Sequence, residues 1–510
     1  MFTKLTQRTL FLFSLLMMLP KTTSANSQPL RYAEDRAPAI INPIFATSMS
    51  EARINELIFE GLFSDDQELR VQPQLAQRFV LAQDKLSMVI HLRKDVKWHD
   101  GYDFTSEDVR FTIEAMRNEK TASTESGRVQ WIKAVRVQGP HTVTITFNDQ
   151  EFAPSERLQF KILPAHLFRG DVASRTNKFR NHPVGTGPMM FDSYNTDNSI
   201  SLRKFPDYYG SARLEKVVMR EVSDKNYQAK LLAYGSIDAL VRVMPRDLSV
   251  LQANRNVELY PYQTNSWWYL GYNMQRSFAK DPNVRAALEL MVDRHALLKP
   301  IGTGELLSGP FVRSSPYYNH NVSTSRPNHS LAANLMQEAG YALVNNKWTK
   351  DGKPLSVTIT TQRDLDAALE VIVNLQTQLF NQGITVHTQF YDKAEWRAKI
   401  WGQSDFDIIL SMWSFDRTED IYEQFHSTGS GNFGNYENPE VDTLLDQATS
   451  ARDPQEKRRT LQQAHKTIAA DDPMIFLWTL DSYSALSTKV NNVVIHPFYF
   501  FTWANAWYLQ

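Results

Sequence analysis

Between residues 355 and 413 the chain reads strand, helix, strand, strand, and that order dictates the class of fold. Residues 355–361 alternate apolar and polar side chains as a strand does. Residues 366–382 read as a helix with Leu369, Val373, Leu375, Leu379 and Phe380 predicted inward, stopped by Gly383. Residues 384–390 form the next expected strand, and 407–413, ending in Trp413, a buried one. A strand that returns through a helix to a neighbouring strand must pair in parallel, so the class is α/β with a partly parallel sheet. Ligands meet such sheets near the carboxyl ends of the strands, which puts Trp413 and the loop after it at the binding edge.

Elsewhere the same alternation recurs. Strands are expected at 86–92 and 143–147. Thr105 opens a helix with Asp108 at the capping-box position, and Val109, Ile113 and Met116 share one face. Asp281-Pro282 caps a further helix whose stripe is Val284, Leu288 and Met291. No repeat or low-complexity tract interrupts the chain, and 510 residues exceed the roughly 100–200 of one domain, so at least two lobes are expected.

Composition excludes several functions. Lys and Arg number 55 against 56 Asp and Glu, a balance with no field to hold a polyanion, so nucleic acid is not expected as a partner. There is no cysteine, which excludes thiolate nucleophiles and Cys-ligated zinc or iron–sulfur clusters and suits an oxidising compartment. The first 25 residues read as a secretory signal: Lys4 and Arg8, a short apolar run over residues 10–19, then Thr23-Ser24-Ala25. That run is shorter than the roughly 20 residues of a membrane span. The mature chain, cleaved near Ala25, is therefore expected outside the cytoplasm and not membrane-spanning.

Catalytic and cofactor motifs are missing. There is no His-Glu-x-x-His, no phosphate loop, no nucleophile elbow, and the 12 histidines are scattered, so neither metal nor cofactor is expected. His99, His295 and His465 read as core or surface residues. Gly429-Ser430-Gly431-Asn432-Phe433-Gly434 fits the dinucleotide fingerprint in letters, but its flanks read as irregular loop rather than strand and helix. A carboxylate-dependent hydrolase built from Asp405, Asp407, Asp416, Glu419 and Asp420 is the competing enzyme reading; the same set also reads as a strand end and an acidic loop. The 11 Trp, 20 Tyr and 28 Phe supply either core or the aromatic walls of a binding cleft.

Several segments in order resemble the extracellular solute-binding proteins of family 5, the peptide- and nickel-binding group that serves ABC importers. They are Ile41-Asn42-Pro43 with Ile58-Phe59-Glu60-Gly61-Leu62, Val96-Lys97-Trp98-His99-Asp100-Gly101 leading to Thr105-Ser106-Glu107-Asp108-Val109, and Pro183-Val184-Gly185-Thr186-Gly187-Pro188. Then follow the stretch from Lys280 to Leu288 and Tyr436-Glu437-Asn438-Pro439-Glu440-Val441-Asp442.

The resemblance implies a two-lobe periplasmic binding fold (type II, cluster C-like) with an extra domain inserted in the first lobe. Mapped onto this chain, the first lobe takes residues 26–62, 180–265 and 492–510, the inserted domain 63–179, and the second lobe 266–491. It implies a monomer that closes over a small ligand, most readily a peptide, delivers it to a membrane-embedded importer and catalyses nothing; a metal chelate or glycoside is the alternative ligand on the same fold.

The resemblance also implies site residues. Trp413-Ser414-Phe415-Asp416 resembles the spacing at which peptide binders place a carboxylate for the ligand's α-ammonium; Asp416 otherwise caps a local turn. Arg417 follows directly and offers that carboxylate a neutralising neighbour. Thr47 and Ser48 stand where some oligopeptide binders carry an acid, Met49 offers an adaptable apolar wall, and Trp396, Trp131 and Tyr269 resemble cleft positions by placement.

Overall fold

The computed structural model describes residues 28–168, 178–262, 264–415, 419–451 and 453–510. The expected signal segment and the Asp416-Arg417 pair lie outside the described residues.

Three sheets organise the chain. The largest has seven strands in the order Val257–Tyr262, Ser482–Ser487, Ala239–Leu240, Leu30–Glu34, Lys216–Glu221, Ile200–Lys204 and Met189–Tyr194. Leu30–Glu34 runs parallel to both of its neighbours, and the other pairs are antiparallel. A four-stranded antiparallel sheet follows the order Ala76–Leu81, Ser87–Leu92, Thr142–Phe147, Ile132–Val137. Helix Ser106–Arg117 lies against it, started by the capping box that Thr105 and Asp108 form, with Val109, Ile113 and Met116 all buried. This sheet and the seven-stranded one share one apolar interior, which joins Tyr32, Ile54, Ile90 and Ile145 to Phe500, Phe501 and Trp507 near the C-terminus.

The third sheet has five strands, Thr385–Tyr391, Ser356–Gln362, Ile408–Ser414, Ser266–Tyr272 and Met474–Phe476. Ser356–Gln362 pairs in parallel with both Thr385–Tyr391 and Ile408–Ser414, so the βαβ reading of this stretch describes the observed topology. The crossover helix, Ala368–Asn381, ends before Gly383, whose φ of +84° is the left-handed conformation a helix stop requires.

Its inward face differs from the sequence expectation. Ala368, Val371, Ile372, Leu375 and Leu379 are buried, whereas Leu369, Val373 and Phe380 are more than half exposed. At 100° per residue the two sets form separate stripes roughly a third of a turn apart. Both are apolar, so periodicity alone gives no ground for choosing, and packing against the sheet decides.

The chain crosses between the seven- and five-stranded sheets where Val257–Tyr262 gives way to Ser266–Tyr272. It crosses back after Met474–Phe476, the last strand of the five-stranded sheet, through Trp478–Leu480, which pairs with Gly304–Leu306 in a small sheet of its own, into Ser482–Ser487. Tyr262 is paired with Ser482, so the two crossings are hydrogen-bonded side by side. Ser482–Ser487 lies in the seven-stranded sheet, although sequence reading drew the return to the first lobe at residue 492. This strand carries no boundary signal of its own, since its Ser-Tyr-Ser-Ala-Leu-Ser pattern would suit either sheet.

A candidate binding cleft at the crossings between two lobes

Helix Met49–Ile58 begins one wall. Ser48 is its N-cap, and Glu51 reaches back to the backbone N–H groups of Thr47 and Ser48 at 2.7 and 3.1 Å, so the hydroxyls of Thr47 and Ser48 are engaged in a capping box. That box turns Met49 outward, half exposed, and places Arg53 one turn further along the same face. Arg53 is held by a bidentate pair to the buried Glu34, both contacts 2.6 Å.

Met49 and Arg53 face a cleft of about 910 Å³, open mouth included. Its floor is made by the two crossings: Tyr262, Thr264 and Ser266 from one, Leu480 and Ser482 from the other. Trp268, Met412 and Ser414 supply the opposite wall, with the Ser266 and Ser414 hydroxyls 2.8 Å apart. The segment from Ile495 to Pro497, with Phe498 and Phe500, closes the remaining side. The lining combines apolar surface with a few hydroxyls, as small-molecule sites do.

Strand alternation separates the expected residues from this cleft. On Ser266–Tyr272 and Ile408–Ser414 the even-numbered side chains Trp268, Met412 and Ser414 face it. The odd-numbered Tyr269 and Trp413 point to the other side of the sheet. There they border a smaller apolar cavity of about 460 Å³ within the five-stranded unit, beside Phe425, Phe433 and Tyr436. Two of the expected aromatics are core. Trp396 is buried in the apolar cluster on that same side of the sheet. Trp131 packs on Phe147, lies under Arg157, and donates its indole N–H to the Arg128 carbonyl at 2.7 Å. Of the expected residues that are described, the structure places only Met49 on the cleft. Sequence reasoning missed Trp268, Met412 and Ser414, which a shift of one residue along the same strands would have supplied.

The fingerprint-like glycines serve packing. A Cβ at Gly429 would stand 2.4 Å from the Glu423 carbonyl oxygen, and one at Gly434 would stand 2.5 Å from that of Tyr272. The next helix, Pro439–Ser450, starts well beyond them, capped by Asn438. The described carboxylates of the hydrolase reading, Asp405, Asp407, Glu419 and Asp420, also have structural partners. Asp405 and Asp407 each hold Arg276 at 3.0 Å. Asp407 also accepts from the Thr358 N–H, and Asp420 from that of Tyr422. Glu419 accepts from Asn265, and burial raises its proton affinity.

The family segments have a shared structural role. Trp98-His99-Asp100-Gly101 and Pro183-Val184-Gly185-Thr186-Gly187-Pro188 lock together through His99. Its ring Nδ1 accepts from the Gly185 N–H at 3.2 Å, and its Nε2–H donates to the Gly187 carbonyl at 2.9 Å. Both roles need a neutral imidazole, and burial lowers the His99 pKa to about 4. The braced loop presses on the end of helix Met49–Ile58, so Gly185 and Gly187 meet the carbonyls of Leu57 and Ile58 without room for a side chain.

Two lobes joined by paired crossings, with a cleft at the junction, define the class of two-lobe solute-binding proteins. The chain belongs to the bacterial extracellular solute-binding proteins, family 5, whose pattern matches residues 70–435. It is 27% identical over 480 residues to the oligopeptide-binding protein AppA of Bacillus subtilis, covering 90% of this chain and 88% of that one. It is 26% identical over 471 residues to the glutathione-binding protein GsiB of Salmonella choleraesuis, covering 90% of each. The solved structure of B. subtilis AppA with a nonapeptide superposes with a TM-score of 0.76 over 95% of this chain and 99% of that one, at 26% identity. Among the described residues no helix is long and apolar enough to cross a membrane, and no cluster of three His, Asp or Glu could hold a metal ion.

Proposed function

We propose that this protein is a periplasmic receptor that captures peptides in the cleft at its crossings and hands them to an ABC importer, unchanged. The single observation that carries the reading is the cleft itself. It has hydroxyls at its floor, apolar side chains around them, and walls from both lobes that can close on a ligand. Support comes from AppA and GsiB, which by name bind an oligopeptide and glutathione. Export through a signal cleaved near Ala25, a monomeric state, and an inserted domain over 63–179 belong to the same proposal.

Mass spectrometry of the acid-denatured protein, purified from its native host without added ligand, is expected to release peptides; recovery of a non-peptide solute alone would overturn the reading. Asp416 belongs to the proposal on its spacing after Trp413 alone. Asp416→Asn is expected to weaken the binding of those peptides at least about ten-fold, a floor below the roughly 2 kcal/mol that a buried ammonium forfeits with its counter-charge. Equal affinity in calorimetry removes Asp416 from the site.

A further inference from the structure

We infer that the cleft grips its ligand by a carboxylate, held at Arg242 on the first-lobe wall. The inference rests on the peptide reading above and adds which end of the ligand meets which wall. Charge around the cleft is one-sided. Among the described residues that line it, the ionisable groups are Arg53, Arg242, Tyr262 and His496, and none is an acid.

Two of these groups are already satisfied inside the protein. Arg53 is balanced by its bidentate contact with Glu34. His496 accepts the Phe498 and Tyr499 N–H groups at Nδ1, which leaves its Nε2–H to donate to the buried Asp65 at 3.2 Å.

Arg242 differs from both. Its side chain is exposed at the cleft, and it makes no ion pair or hydrogen bond with any described residue. Beside it, burial pushes the proton affinity of the Tyr262 phenol up while the charges of Arg242 and Arg53 pull against it. Tyr262 therefore stays a neutral O–H donor. Both residues are anchored to one strand: Ala239–Leu240, just before Arg242, and Val257–Tyr262 each pair with Ser482–Ser487.

A planar fork of N–H donors next to a phenolic O–H matches the two oxygens of a carboxylate, and the same charge repels an ammonium. A peptide would therefore lie with its carboxylate toward the first lobe. That group can be the chain terminus or an acidic side chain, and the chemistry is shared.

Three peptide mixtures separate the possibilities in equilibrium dialysis read by mass spectrometry. The first is random tetrapeptides made without Asp or Glu and with free carboxyl termini. The second is the same set capped as amides, and the third is the amide set with one Glu in each peptide. The wild-type protein is expected to retain the first at least about ten-fold better than the second. Retention of the third identifies a side chain as an accepted source of the carboxylate. Arg242→Gln is expected to retain the first and second alike, and Arg242→Lys to keep part of the preference, with urea unfolding of both variants matching the wild type. Equal retention of all three mixtures by the wild type, or an undiminished preference for the carboxylate-bearing mixtures in Arg242→Gln, overturns the inference while leaving the peptide reading standing. Retention of none of the three overturns the peptide reading itself, and this inference with it.

Discussion

Gly185→Ala is expected to destabilise the protein by about 4 kcal/mol or more, at the upper end for a single substitution. The added Cβ would stand 1.8 Å from the Ile58 carbonyl oxygen, a distance no atom pair tolerates. That oxygen is not free to retreat, because it accepts the Gly187 N–H at 2.9 Å. The loop is not free either, because His99 holds both of its glycines. The strain therefore spreads into the end of helix Met49–Ile58, and the whole seam must give way. Gly127→Ala is the control. A Cβ there meets nothing within 4 Å and needs no unusual backbone, so its effect should stay within about 0.5 kcal/mol. Urea unfolding of the two variants checks the pair. Similar midpoints would mean that the loop yields without resistance.

Acid is expected to weaken the protein through the same brace. A histidine held neutral with its pKa lowered to about 4 binds no proton in the folded state between about pH 6.5 and 4, whereas the unfolded chain does. Stability attributable to His99 is therefore fully present above pH 6.5, falls as pH drops toward 4, and then levels off. The loss amounts to about 3 kcal/mol. His465, buried between Ser308 and the Asn319 N–H with its pKa also near 4, acts in the same direction. Asp472 acts in the opposite one, since burial and the nearby Glu289 push its pKa up to about 7 and the folded state gains protons as pH falls. A difference measurement isolates the brace. Between pH 7 and 4 the gap in unfolding free energy between wild type and His99→Gln should close by about 3 kcal/mol. Parallel curves would mean that His99 becomes charged in the folded state.

What could be read from the sequence was mostly local. Thr105 with Asp108, and Asp281 with Pro282, announce helix starts because a cap is made by neighbours a few residues apart. The parallel pairings of Ser356–Gln362 were legible because strand and helix periods alternate at the right lengths. What failed was orientation. The crossover helix carries two apolar stripes, and only contact with the sheet chooses between them.

Which face of Ser266–Tyr272 and Ile408–Ser414 borders the cleft is hidden for a related reason. These strands are apolar on both faces, because both faces of the five-stranded sheet are covered by core clusters, so their residues give no parity signal. Tyr269 and Trp413 stand on the strands that border the cleft, with their side chains on the opposite face of the sheet. Arg242 carries no motif, and it stands out only when the cleft shows which neighbouring charges are already balanced.

The apolar interior shared by the first two sheets has a consequence for how the molecule is made. Phe500, Phe501 and Trp507 belong to the same interior as Tyr32 and Ile90, hundreds of residues upstream. A chain delivered from its N-terminus cannot seal that interior until residues 500–507 have emerged. The earliest-synthesised part is thus among the last to consolidate, while the five-stranded unit, whose strands all lie between residues 266 and 476, has every piece it needs sooner. The first half of the molecule is left open until its tail arrives.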